Sequence, residues 1–177
     1  IISYLKSDPL EKIKNIPQEA LEDEEILFLL SKSYPELIET MPTAFKNKRN
    51  NVFRLISENP RAFKYLDYSF RKDLEITSFA ISKDIHNIGN IGIELYDEPS
   101  IINNFLTKII SGENFKGSTF FIYFFREVMD DELFIKALEI NGDIFQGLST
   151  EFDEKKYLIA ALKGGFQGHF NPMIPID

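Results

Sequence analysis

Three clusters in the chain carry residue types that could do chemistry. His86 and His169 could bind a metal or move a proton, but they stand 83 residues apart, with no His-x-x-x-His pair and no Cys to complete a ligand set. Solvated loop histidines account for them more simply. Asp130-Asp131-Glu132 offers paired carboxylates of the kind that work as general acid and base. Acids also gather at helix starts, where they face free amides and the positive end of the helix dipole, and that role recurs in this sequence. Gly164-Gly165-Phe166-Gln167-Gly168 is like a phosphate loop only in its glycine content, because the Gly-x-x-x-x-Gly-Lys-Ser/Thr spacing is missing. There is no Gly-x-Ser-x-Gly elbow. The sequence points to no catalytic, cofactor-binding or metal site, and to no enzyme.

What remains is charge. Between Thr43 and Lys83 nine Lys/Arg meet four Asp/Glu, a local +5, while the rest of the chain carries −13. Lys48, Arg49, Arg54, Lys64, Arg71 and Lys72 interleave there with Tyr65 and Tyr68, and these eight are the candidate partner-binding residues. Long charged side chains often do no more than cover a helix surface. The functional alternative is a surface for a protein partner of acidic character. Basic and aromatic residues together can also hold a nucleic-acid strand. The acidity of the remainder disfavours that reading.

Such residues need elements to position them, and a period supplies these. Anchors at Asp23, Lys48, Asp73, Glu98, Asp130 and Glu154 are spaced 25, 25, 25, 32 and 24 residues apart. Ten residues before them stand Ile13, Ile38, Phe63, Ile88, Phe120 and Ile144; seven before stand Ile16, Met41, Leu66, Ile91, Tyr123 and Gly147, with Leu148 next door. Four after come Leu27, Val52, Thr77, Ile102, Phe134 and Leu158, and seven after come Leu30, Leu55, Ala80, Phe105, Ala137 and Ala161. Eight after come Ser31, Ile56, Ile81, Leu106, Leu138 and Leu162. Positions +4, +7 and +8 share one helical face, so each anchor opens an amphipathic helix. Tyr34-Pro35, Asn59-Pro60 and Asn141-Gly142 stop it. Positions −10, −7 and −3 fit a second, shorter helix. The expected fold is all-α, a solenoid-like stack of about six short-helix/long-helix units of about 25 residues. Phe120–Phe125 also fits a strand, but its register favours the first helix of the fifth unit.

The segments "RKDLEITSFAISKD" and "MDDELFIKALEINGDIFQGLSTEF" resemble the tandem helical repeat of a domain of unknown function. Its units run Asp-x-Glu-(Ile/Val)-x-x-x-Ala-(Ile/Val)-x-x-Asn-Gly. Asp73, Glu75, Ile76, Ala80 and Ile81 fit one unit, and Asp130, Glu132, Leu133, Ala137, Leu138, Asn141 and Gly142 fit another. The first, second and fourth units depart from it, with Leu30, Leu55 and Phe105 in place of the small residue. The family occurs in bacterial, effector-like and giant-virus proteins. The resemblance implies a helical-repeat fold and brings no catalytic residues.

Residues 1–163 are thus expected to form the repeat domain, with an insertion near 111–118, and 164–177 an irregular tail or linker. A start at Ile1-Ile2 rather than Met is expected of an excerpt from a longer protein. With 44% hydrophobic and 27% charged residues and no apolar run near the length of a membrane helix, no membrane span is expected. The absence of Cys excludes disulfides and suits an intracellular setting, either the cytoplasm or, for a secreted effector, a host cytoplasm. The expected function is a non-catalytic protein–protein interaction module that binds along the repeat surface. The alternatives are a nucleic-acid-binding repeat acting through 43–83, or an enzyme with an unrecognised site.

Overall fold

Five of the six anchors, Asp23, Lys48, Asp73, Glu98 and Asp130, stand immediately before a long helix, as the period predicts. The structure, a computed structural model, describes residues 16–113, 130–147 and 155–166, all of them in helices or their connections. They fall in two compact units divided between Gly92 and Ile93. Phe120–Phe125, the anchor Glu154, Ile13, His169, most of the expected insertion and the tail beyond Phe166 lie outside the described residues.

The first unit contains α1 (Gln18–Leu21), α2 (Glu24–Ser33), η1 (Pro35–Thr40), α3 (Thr43–Lys46) and α4 (Arg49–Glu58). It continues with η2 (Pro60–Tyr65), α5 (Tyr68–Arg71), α6 (Leu74–Lys83) and η3 (Ile85–Asn90), where η denotes a 3₁₀ helix. The long helices begin at their anchors for a chemical reason. The Asp23 carboxylate accepts from the Glu25 and Ile26 amides at 2.9 and 3.4 Å, and that of Asp73 from Ile76 at 3.0 Å. Lys48, the one basic anchor, makes no such cap. The helices end at Tyr34, Asn59 and Asp84. There the Asn59 and Asp84 side chains accept from the amides of Arg61 and His86 and start the next 3₁₀ turn.

The expected short helix is two elements. Position −10 falls in the 3₁₀ helix, position −3 in a separate one-turn helix, and between them Met41, Leu66 and Ile91 are extended, with ψ of 155°, 154° and 159°. At Met41 the cause is Pro42, whose ring excludes the α conformation from the residue before it. Asp67 and Gly92 hold the same place in the next two repeats without needing a proline.

The apolar columns are interior. Ile38, Phe63 and Ile88, each the fourth residue of its 3₁₀ helix, are fully buried. Leu27, Leu30, Val52, Leu55, Ile56, Ala80 and Ile81 are buried on the long helices, which pack in sequence order, α2 on α4 and α4 on α6, while η1 packs on η2 and η2 on η3 in a second row. Polar residues in these columns are satisfied locally: Ser31 Oγ donates to Phe28 O at 2.9 Å, and Thr77 Oγ1 to Arg71 O at 3.0 Å. At −3, Phe45 is buried, but Ala20 and Phe70 are only partly so.

The second unit contains η4 (Ile93–Leu95), α7 (Pro99–Ile110), α8 (Asp131–Ile140), η5 (Gly142–Gly147) and α9 (Lys155–Lys163). Glu98 and Asp130 cap α7 and α8 through the amides of Ser100 and Leu133, at 3.4 and 2.8 Å. α8 packs on both α7 and α9. Leu162 departs from its column and is half exposed; among the described residues no repeat helix follows α9.

Gly164 and Gly165 shape the end of α9, while Gln167 and Gly168 of the same glycine-rich stretch lie outside the described residues. The Gly165 and Phe166 amides donate to Leu162 O and Ala161 O, which closes α9 with a left-handed residue, φ 83°, at Gly165, and Phe166 is buried. Gly164 O accepts from the Gly142 amide at 3.0 Å, so the two helix ends meet backbone to backbone. A Cβ on Gly164 would lie 1.9 Å from Leu138 O, whereas one on Gly165 would meet nothing within 4 Å. Gly165→Ala should therefore cost about 1–2 kcal/mol, the left-handed penalty alone. Gly164→Ala should cost more, about 3 kcal/mol, because backbone must move. Urea unfolding of the two variants checks this, and equal losses would remove the close approach as the cause.

Candidate partner-binding surface

The eight candidate residues separate into three settings, and neighbouring repeats decide which. Lys48, Arg49 and Arg54, on or beside α4, are held by acids of the repeats on either side. Lys48 pairs with Glu24. Arg49 forks onto Asp73 at 2.8 and 3.2 Å and reaches Glu75 at 2.5 Å. Arg54 forks onto Glu25 at 2.5 and 2.7 Å, meets Glu58 at 2.7 Å, and lies 3.8 Å over the Phe28 ring. These cations form a ladder between repeats. The hydrogen bonds with Arg49 hold the Asp73 carboxyl below its usual range, assisted by the Ile76 amide. Those with Lys48 and Arg54 lower Glu24 and Glu25.

The second setting surrounds α5. Arg71 donates from Nε to Leu66 O and from Nη1 to Asn90 O, both at 3.2 Å, which ties α5 to η3. Arg71 and Lys72 lie 5.5 and 5.9 Å from the centre of the half-exposed Tyr68 ring. Lys64 and Tyr65 are elsewhere, on η2, with the ammonium 5.4 Å from the ring centre.

That third setting is a groove of about 620 Å³ lying wholly within the first unit, across the row of 3₁₀ helices. Glu36 of η1, Arg61, Lys64 and Tyr65 of η2, and His86 and Asn90 of η3 line it, with Asp84 at the end of α6. Among the described residues no carboxylate comes within 4.0 Å of the Arg61 guanidinium or the Lys64 ammonium, unlike the three cations of α4. His86 Nδ1 lies 2.9 Å from Asp84 Oδ1. Burial pulls the Asp84 carboxyl upward, but the His86 amide and imidazole outweigh it, with help from the Arg61 charge, and leave it below its usual range. Glu36, Arg61, His86 and Asn90 were not among the eight. The signal that could have found three of them is their spacing, for 36, 61 and 86 stand 25 apart, a polar column inside an apolar period.

The remaining chemical candidates have structural roles. Asp130 caps α8, Asp131 accepts from Lys156 and the Tyr157 hydroxyl, and Glu132 pairs with Lys136 at 2.8 Å. Among the described residues no group of three or more His, Cys, Asp or Glu side chains is placed to hold a metal ion, and no helix is long and apolar enough to cross a membrane.

With this geometry in place, the comparisons with known proteins fall on the same segment. The profile of a family described as a domain of unknown function, DUF4116, matches residues 48–96. The DUF4116 segment opens at the Lys48 anchor and closes two residues before Glu98, so it spans two of the periods. It contains α4, η2, α5, α6 and η3, and with them all eight candidate residues and most of the groove. No curated protein and no solved structure matches the chain.

The ladder gives a pH prediction with a definite sign. A carboxyl whose folded pKa is lowered stabilises the fold above its unfolded pKa, and that contribution disappears as pH falls through the folded value. Stability of the wild type should therefore decline below about pH 4. Arg49→Gln, which removes the main cause at Asp73 and leaves the Ile76 amide, should be less stable at pH 7 and show a shallower acid limb. Urea midpoints between neutral and acid pH test this, and identical limbs would dismiss the pair as a stabilising contact.

Proposed function

We propose that the chain is a non-catalytic module of helical repeats, a solenoid-like stack of six units of about 25 residues, that holds a protein partner along the repeat surface. The resemblance to an effector-like repeat family suggests that it does so as part of a larger protein, inside a cell. Stacked short repeats generate extended surfaces suited to this task. The observation that carries the reading is the groove across η1, η2 and η3, where Arg61 and Lys64 have no carboxylate contact among the described residues while the cations on and beside α4 are engaged with neighbouring repeats.

This moves the proposed contact surface away from Lys48, Arg49 and Arg54 and toward Lys64, Tyr65 and their groove neighbours. Nucleic acid suits the groove less well. Glu36 and Asp84 place two carboxylates where phosphates would pass, and the whole chain is acidic at −8.

Selection of a randomised sixteen-residue peptide display library on the immobilised chain is expected to enrich linear peptides. The double variant Arg61→Glu, Lys64→Glu should weaken their binding at least about tenfold with helical circular dichroism unchanged. Lys48→Glu should lower the unfolding midpoint and leave binding intact. Absence of enrichment, or peptides that bind the double variant equally well, would refute the assignment.

A further inference from the structure

The column at positions 36, 61 and 86 carries a second regularity. Its members occupy the second residue of η1, η2 and η3, equivalent places in three six-residue 3₁₀ helices, and all three line the groove. The frame repeats but the chemistry does not: carboxylate, guanidinium, imidazole. The residue two places on in each 3₁₀ helix, Ile38, Phe63 or Ile88, is fully buried. The groove-facing residue can therefore vary while the core beside it stays the same.

We propose that this column reads the charge of an extended peptide laid across the 3₁₀ row, one reading position per repeat. The proposal rests on the interaction-module reading and specifies its ligand. Packed helices lie about 8–10 Å apart, and an extended chain advances about 3.3 Å per residue. Successive reading positions therefore meet residues about three apart. The matching segment carries a basic residue at Glu36 and, about three residues on, an acidic one at Arg61, where Lys64 of the same helix adds its charge. At the third position His86 and Asp84, 2.9 Å apart, offer a polar pair rather than one sign of charge. The Asn90 side-chain amide, which lines this end, brings a donor and an acceptor that suit a peptide bond. A uniformly acidic partner would meet repulsion at Glu36 and Asp84. The complementary ligand is a mixed-charge segment in strand conformation.

The test is a specificity swap. The same sixteen-residue display library is selected on the wild type, on Glu36→Lys and on Arg61→Glu, with circular dichroism to establish that each is folded. Wild type should enrich peptides with a basic and an acidic residue about three apart. Glu36→Lys should exchange the basic position for an acidic one, and Arg61→Glu the acidic for a basic one. Peptides synthesised from each pool should prefer their own protein about tenfold over the charge-swapped one. If groove-dependent peptides emerge with charge profiles indifferent to Glu36→Lys, the interaction module stands and the charge reading is overturned. If no peptide depends on the groove, both fall. Uridine-rich single-stranded RNA that binds more tightly than any peptide, with a steep loss on raising salt, would also overturn the proposal.

Discussion

Among the described residues no helix of the first unit exceeds ten residues, and helices so short are marginal in water by themselves. What holds them is burial of the same columns between one repeat and the next. Ile38, Phe63 and Ile88 fill the 3₁₀ row, and Leu30, Leu55 and Ala80 the row of long helices. Each fully buried Leu, Ile or Phe contributes about 1.5–3 kcal/mol relative to exposure. Solvent-exposed ion pairs contribute about 0–1 kcal/mol each. The apolar columns therefore hold the repeats together, and the charge ladder acts on a frame that already exists. Its value lies in register: Arg49 and Asp73, or Lys48 and Glu24, meet only when neighbours are offset by one period.

The ladder also explains why a local count of charge misleads in a repeat. The basic segment 43–83 has an excess of five positive charges along the sequence. In space, Glu24 and Glu25 from the preceding helix and Asp73 and Glu75 from the following one stand against Lys48, Arg49 and Arg54. A periodic fold brings residues about 25 positions away as close as those three or four away on a single helix. The charge balance that matters is summed across the period. By that measure the surface at α4 is largely neutralised, whereas Arg61 and Lys64 of η2 have no carboxylate within 4.0 Å among the described residues.

Much of the frame was legible because its causes are local. An acid before an apolar stripe made a cap at Asp23, Asp73, Glu98 and Asp130, and Asn59-Pro60 or Asn141-Gly142 made a stop. The division of the second helix was less legible. The apolar positions −10, −7 and −3 fit one helical stripe equally well, and only the extended backbone at Met41, Leu66 and Ile91 separates a 3₁₀ helix from a one-turn helix. Pro42 carried that signal, as does Pro17 one period earlier, but Asp67 and Gly92 did not. The contact of Gly142 with Gly164 was illegible for another reason. It depends on how α8 and α9 converge, which no local pattern encodes. The groove lay between these extremes: its column was in the sequence, but a search for apolar or basic residues passes over one that runs Glu, Arg, His.

The same division of labour shapes how such a surface could change. A core column constrains its residues tightly, since a large side chain removed from Phe63 or Ile88 leaves a cavity that both neighbours feel. The position two residues earlier has a groove on one side and makes no contribution to that interior. Substitution there alters what the groove attracts at little cost to folding. Separation of these roles within a single six-residue helix lets one scaffold present different charge sequences. It follows from the three-residue turn of the 3₁₀ helix, in which the second residue lines the groove and the third and fourth are buried. A repeat built only of long amphipathic helices would place its variable residues on a flatter, more distant face. The short 3₁₀ row brings them side by side in one groove.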